Sequence, residues 1–354
     1  FLVYRIKVMP TCSMFFGEEV FLFHLFLIYK MTLKNLTYYL FISLVFSSCL
    51  KEEKPIPYPE PGDMNTVQIE IGYPYINQVY YDCESNKVIS SNTKFDWDIA
   101  FECSENGYHV LVNNALGMLV ANMGSVDFTS VTSIAGVTWT WDAPSGNLDS
   151  TAIGNWQNSN NVYIIDRQYD ANGNHQGYYK IQLQQVNASS YTFRFAQLNG
   201  NNDKTISISK DNNLSFLHYS FNNGGEIKNI EPEKNSWDLL FTNHHHKFDN
   251  LPLPFVLTQA LTNKHNGVLV AEDNKGNFLD ITLKDTANYT FTNYWNEIGH
   301  DWKIRNSNDN SFTIDNNKSY IVKTTSGLFY KIRFIDFYNQ YGQKGYPTFE
   351  IQKL

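Results

Sequence analysis

Three histidines stand in a row at His244, His245 and His246, and His265 and His300 follow further along the same stretch of chain. Imidazole is the commonest metal donor in proteins, and short histidine tracts bind metals. On a strand, alternation would place His244 and His246 on one face and His245 on the other; in a loop the same triplet would be a solvated polar turn. Earlier in the chain, His109, Met118 and Met123 offer an imidazole and two thioethers, although "ALGMLVANMG" is also the small and apolar setting in which methionine fills a core. His300, within "IGHDWK", sits between groups that could equally hold it as a structural histidine. No His-Glu-x-x-His, Gly-x-Ser-x-Gly, Walker-type or Cys-x-x-Cys pattern is present, so neither an enzyme nor a dedicated metal site is expected. "DANGN" at 170–174 lacks the acidic positions and distal Glu of a calcium loop and reads as a hairpin turn.

The elements that must position these side chains are strands. "TVQIEIG" and "KTISISK" alternate apolar and polar residues as half-buried strands do. Aromatic residues make up 16% of the chain and charged residues 18%, a balance that favours strands and Asn-rich turns. The expectation is an all-β fold.

The same elements come twice. "KFDWDIAF" at 94–101 is matched by "NSWDLLFT" at 235–242; "NQVYYDCESNKVISS" by "FLHYSFNNGGEIKNI"; "YIIDRQYDANGNHQGYYKIQL" by "YIVKTTSGLFYKIRF"; and "SYTFRFAQL" by "YPTFEIQKL". With "TVQIEIG" matched by "KTISISK", five elements recur in order and imply a tandem duplication with a boundary in the Asn/Gly cluster "LNGNNDK". In each Trp-Asp motif, Trp97 and Ile99 are expected on one face filling a core, with Asp98 on the other capping a turn. Cys83 and Cys103 both lie in the first copy and have no counterpart in the second, so a disulfide between neighbouring strands is expected in an exported protein.

Export is expected from the N-terminal region. The chain of 354 residues carries a net charge of −8, which offers no basic face for nucleic acid. It begins with Phe1, and reading from Met31 gives Lys34, an apolar run from Leu36 to Phe46, and "SSC" ending at Cys49. That is the pattern of a bacterial lipoprotein signal in which Cys49 becomes the lipid anchor. "LKEEKPIPYPEPG" would then be an extended tether. The expected division is an upstream segment and signal at 1–48, a Pro-rich tether at 49–64, one β domain at 65–200 and a second at 201–354.

"WDIAF", "VLVNN", "YTFRFAQL" and above all "FYNQYGQKGYPTFE" resemble the HmuY family of Bacteroidetes haem-binding lipoproteins, as a two-copy member. The resemblance implies two tandem antiparallel β domains, attachment to the outer membrane facing the cell exterior, and capture of haem or a related tetrapyrrole for delivery to a TonB-dependent outer-membrane receptor. It supplies no residue-by-residue ligand assignment. Haem iron takes His, Met, Tyr or Cys ligands beside an apolar slot, which leaves His244, His245, His246, His300, His265, Met118, Met123 and His109 as ligand candidates. The alternative is a structural or adhesion lipoprotein that binds protein or glycan through exposed Tyr and Trp; an enzyme acting on an extracellular polymer is a weaker third.

Overall fold

A computed structural model describes residues 58–354. The expected signal peptide, Cys49 and most of the tether lie outside the described residues. The tether's last residues dock on the final strand: Gly62 N donates to Lys353 O at 3.0 Å, and Gln352 Nε2 donates to Gly62 O at 2.8 Å.

The described chain is all-β, with short 3₁₀ turns between its twenty strands. In chain order these are β1 (Asn65–Gln68), β2 (Asn77–Asp82), β3 (Lys87–Thr93), β4 (Ile99–Glu102), β5 (Val110–Val112), β6 (Leu119–Ser125), β7 (Asn161–Asp166), β8 (Tyr178–Val186) and β9 (Ser190–Gln197). They are followed by β10 (Lys204–Ser209), β11 (Phe216–Ser220), β12 (Glu226–Lys228), β13 (Leu239–His246), β14 (Phe255–Thr262) and β15 (Leu269–Asp273). The last five are β16 (Lys303–Arg305), β17 (Phe312–Ile314), β18 (Ser319–Lys323), β19 (Phe329–Tyr338) and β20 (Lys344–Lys353). No helix among the described residues is long and apolar enough to cross a membrane.

Apart from the small β16–β17 hairpin, β1 to β9 and β10 to β20 follow the same order, but the sheets do not divide at residue 200. Two five-stranded sheets run β1-β20-β19-β18-β15 and β10-β9-β8-β7-β6, and two four-stranded sheets run β12-β11-β4-β5 and β14-β13-β2-β3. Each half therefore gives its first three strands to the other. Asn65 to Gln68 pair with Ile351 to Thr348, and Lys204 to Ser209 pair with Phe195 to Ser190. The β2–β3 hairpin adds to β13, and the β11–β12 hairpin adds to β4. The stretches 65–200 and 201–354 are thus interleaved through every main sheet.

Side-chain alternation shows how the sheets stack. On β4 and β11, Ile99, Phe101, Leu217 and Tyr219 enter the core shared with β7 to β9, where Tyr163, Phe193 and Phe195 are buried. On β2 and β13, Val79, Tyr81, Leu239 and Phe241 enter the core shared with β18 to β20. The opposite faces of these four strands supply Tyr80, Ala100, Phe216 and Leu240 to a third core between the two four-stranded sheets. The central sheets are thus covered on both sides, which is why "FLHYS" and "LLFTNHH" are buried along their length.

The third core closes around Trp97 and Trp237, at 8% and 5% exposure, and burying each indole contributes roughly 1.5–3 kcal/mol. Trp97 packs edge-on against His218 with ring centroids 4.6 Å apart, and Trp237 against Tyr80 at 4.9 Å. Trp97 and Ile99 face different cores, which corrects the expectation that they share a face. The chain bends at Asp98 before β4 begins, so strict alternation starts only at Ile99. The aspartates do cap turns: Asp98 Oδ2 accepts from Phe221 N at 2.6 Å, and Asp238 Oδ2 accepts from Cys83 N at 2.9 Å.

The expected Cys83–Cys103 disulfide is also corrected. Both thiols are free and buried, Cys83 in the core of β18 to β20 and Cys103 in the core of β7 to β9. Strand exchange carries the end of β2 away from the end of β4, so nearness in sequence does not become nearness in space.

Candidate functional site

Strand β13 settles the geometry of the histidine triplet. All three residues are paired with β14, His244 opposite Leu257, His245 opposite Val256 and His246 opposite Phe255. His244 and His246 therefore project from one face of the sheet and His245 from the other. His244 and His245 are buried, at 2% and 1% exposure. His244 Nε2 donates to Pro144 O at 3.1 Å and its ring meets Trp295 at 5.1 Å. His245 lies against the turn at Gly117, where an added methyl would come within 3.5 Å of its Nε2. Burial pushes the two imidazoles down to about 4 and about 3 respectively, in His245 with help from neighbouring His244.

His246 lies at the open end of the hairpin. Its ring centroid is 4.3 Å from that of His300 and 4.5 Å from that of Phe248. Phe255 and Leu253, 52% and 46% exposed, continue the apolar surface along the hairpin tip. Burial, then His246 and Lys303, push His300 down to about 4, with Asp301 opposing. Lys303 is itself buried, its Nζ donating to Thr258 O at 2.7 Å, and burial brings it down to about 7. Burial lowers His246 as well, and an imidazole held below its ordinary value offers a ring-nitrogen lone pair to a metal.

The other candidates lie apart from this pair. His265, on the 3₁₀ turn Lys264–Asn266, packs edge-on against Phe216 and Trp295 at 5.0 and 5.6 Å. His109 Nδ1 donates to Glu102 Oε2 at 2.6 Å and its ring stacks on Tyr108. Met118 is fully buried in the core of β7 to β9, and Met123 packs beside Phe128 and Val131 on that sheet's outer side. Among the described residues, no three His, Cys, Asp or Glu side chains are grouped to hold a metal ion.

His244 and His265 line a cleft between the two four-stranded sheets, together with Trp97, Trp237 and Trp295. The cleft also contains His218 and Glu231, neither singled out by the sequence. Burial pushes His218 down to about 3 and Glu231 up to about 7. His218 was legible in principle, because it is the polar residue that takes Tyr80's place when "FLHYS" is laid over "QVYYD". The cavity measures about 50 Å³, whereas sites for cofactor-sized ligands run from about 300 Å³ upward. A tetrapyrrole does not fit there while the sheets are packed.

A search of curated proteins found no match. Similar solved structures include a putative HmuY-like haem-binding protein from Bacteroides vulgatus, 17% identical over 49% of this chain and 90% of that one, with a TM-score of 0.22. Others are the apo HmuY analogue of Tannerella forsythia, 11% identical over 84% and 98% with a TM-score of 0.27, and apo PinO from Porphyromonas gingivitis, 10% identical over 82% and 97% with a TM-score of 0.25. The family model for HmuY protein matches residues 74–351 in a single span that crosses both halves. With most of its length covered by that match and an all-β fold of antiparallel sheets, the chain belongs to the HmuY family.

Proposed function

We propose that this protein captures haem or a related tetrapyrrole at the tip of the β13–β14 hairpin, without transforming it. The observation that carries the reading is the His246–His300 pair, two imidazoles 4.3 Å apart beside Phe248 and the exposed Phe255. Two imidazoles on opposite sides of one iron would have ring centroids roughly 6 Å apart, given metal–nitrogen bonds near 2 Å. The pair is too close for both rings to hold one iron from opposite sides, so His246, the less buried of the two, would be the ligand, with His300 beside it. Phe248, Phe255 and Leu253 provide apolar surface for the porphyrin face.

Titrating hemin into the purified chain tests this. A sharpened and shifted Soret band is expected, lost or weakened at least about tenfold by His246→Ala and left in place by His244→Ala. An unchanged spectrum in the His246→Ala/His300→Ala double variant would refute the site.

From the sequence alone we further propose that Cys49 anchors the chain in the outer membrane, facing outward, and that the cargo passes to a TonB-dependent receptor. Incorporation of labelled fatty acid into the chain, abolished by Cys49→Ala, tests the anchor.

A further inference from the structure

The cleft between the two four-stranded sheets differs from its own symmetry in one respect. Trp97 Nε1 donates to Gln78 Oε1 at 2.8 Å, and Gln78 Nε2 passes the chain on to Thr242 Oγ1 at 3.0 Å. A side-chain carboxamide thus sits against one indole, accepting from it and donating onward. The equivalent indole is Trp237. Aligning Tyr81 with Tyr219, whose carbonyls accept from Asp238 N and Asp98 N respectively, puts Phe216 in the place of Gln78. Trp237 Nε1 is buried without a hydrogen-bond partner among the described residues.

It is not alone. Asn114 Oδ1, His218 Nδ1 and His265 Nε2 are also buried and unpartnered, and all four residues line the same cavity of about 50 Å³. Asn114, His218 and Trp237 are 4%, 7% and 5% exposed, so bulk water does not readily satisfy them. A buried donor and buried acceptors left open in one aromatic cavity call for a guest that both accepts and donates. A charged guest would find no free partner ion, since the carboxyl of Glu231 is held by the backbone N–H groups of Phe216 and Ser215 at 2.9 and 3.3 Å and the ammonium of Lys264 donates to Ser145 O at 3.0 Å.

We infer that this cleft is a binding site for a small neutral carboxamide, whose carbonyl oxygen takes the Trp237 indole N–H and whose N–H reaches the free amide oxygen of Asn114. The guest does between Trp237 and Asn114 what Gln78 does between Trp97 and Thr242. The volume limits it to a few heavy atoms, the size of an acetamido group or the end of a glutamine side chain. This site is separate from the hairpin tip and does not depend on haem binding.

The test uses the full chain and acetamide. Trp237 is assigned in ¹⁵N-indole spectra, and saturable movement of its N–H signal is expected at millimolar acetamide, as suits so small a ligand, with acetate and glucose inert. N-acetylglucosamine and free glutamine then separate a sugar acetamido group from an amino-acid side chain as the source. Phe216→Gln supplies the carboxamide from within and should abolish the response. Should that variant fold poorly, equilibrium dialysis of labelled acetamide against Trp237→Phe should show binding weakened at least about tenfold. No movement of the Trp237 signal, or an equal response to acetate, would overturn the inference and leave the cavity to water.

Discussion

Asp98 and Asp238 hold equivalent places in the two halves, yet only Asp98 meets an arginine. Arg167 Nε and Nη2 donate to its two carboxylate oxygens at 2.8 and 3.1 Å, with both side chains buried. Where the second half would need that arginine stands Thr324, whose hydroxyl bonds Glu84 instead. Removing one partner of a buried pair leaves the other's desolvation uncompensated, typically about 3–5 kcal/mol. Arg167→Met should therefore lower the unfolding free energy by that order in denaturant titration. A change below about 1 kcal/mol would show that the backbone caps on Asp98 suffice without the pair.

Asp238 makes stability depend on pH. Burial, with Asp82 nearby, raises its carboxyl to about 7, against about 3.9 in an unfolded chain. Between those values the folded state holds more protons than the unfolded one, so this group's contribution is fully present below pH 4 and declines as pH rises to 7. Asp238→Asn removes the decline and keeps an oxygen for Cys83 N. Unfolding free energies should therefore favour the variant more at pH 8 than at pH 5, and an equal difference at both would exclude the mechanism.

The buried imidazoles act in the opposite direction. His244, His265 and His300 are brought down to about 4, principally by burial, from about 6.5 when unfolded. Across that window the unfolded state binds more protons, so stability falls as the solution is acidified. Replacing His244 with Gln should reduce the loss between pH 6.5 and pH 4.5, measured by urea unfolding at each pH.

Cys83 and Cys103 sit in separate cores with thiols made less acidic, first of all by burial. Both should resist alkylation in the native protein and react together on unfolding, and reductant should leave the melting temperature unchanged. A reductant-sensitive melting temperature would restore the disulfide expected from the sequence.

The exchange of β1 to β3 for β10 to β12 predicts how a half behaves. A chain ending near residue 202 keeps β4 and β9 but lacks the strands that pair with them here. Two copies can supply those strands to each other, so residues 58–202 should form a dimer, seen by light scattering. A stable monomer would show that β1 and the β2–β3 hairpin can close onto their own half.

How much of this was legible beforehand depends on the range of the interaction. Alternation in "SYTFRFAQL" and its counterpart "YPTFEIQKL" is a property of neighbouring residues, and it marks β9 and β20 directly. The recurrence of Trp97-Asp98 at Trp237-Asp238 likewise identifies equivalent turns, because the capping contact is the same in each. The face of Trp97 was misjudged since the bend at Asp98 leaves no mark in the alternation of residue types.

The sequence by itself determined the β class, the order of the strands and the paired motifs, all of which follow from local backbone preference and side-chain period. Which half each opening strand joins was decided only in three dimensions. The two halves present similar edges, and nothing within a strand distinguishes its own sheet from its counterpart. That single long-range choice separates Cys83 from Cys103 and forms the cleft in which His244 is buried, whereas His246 meets His300 through pairing within the second half.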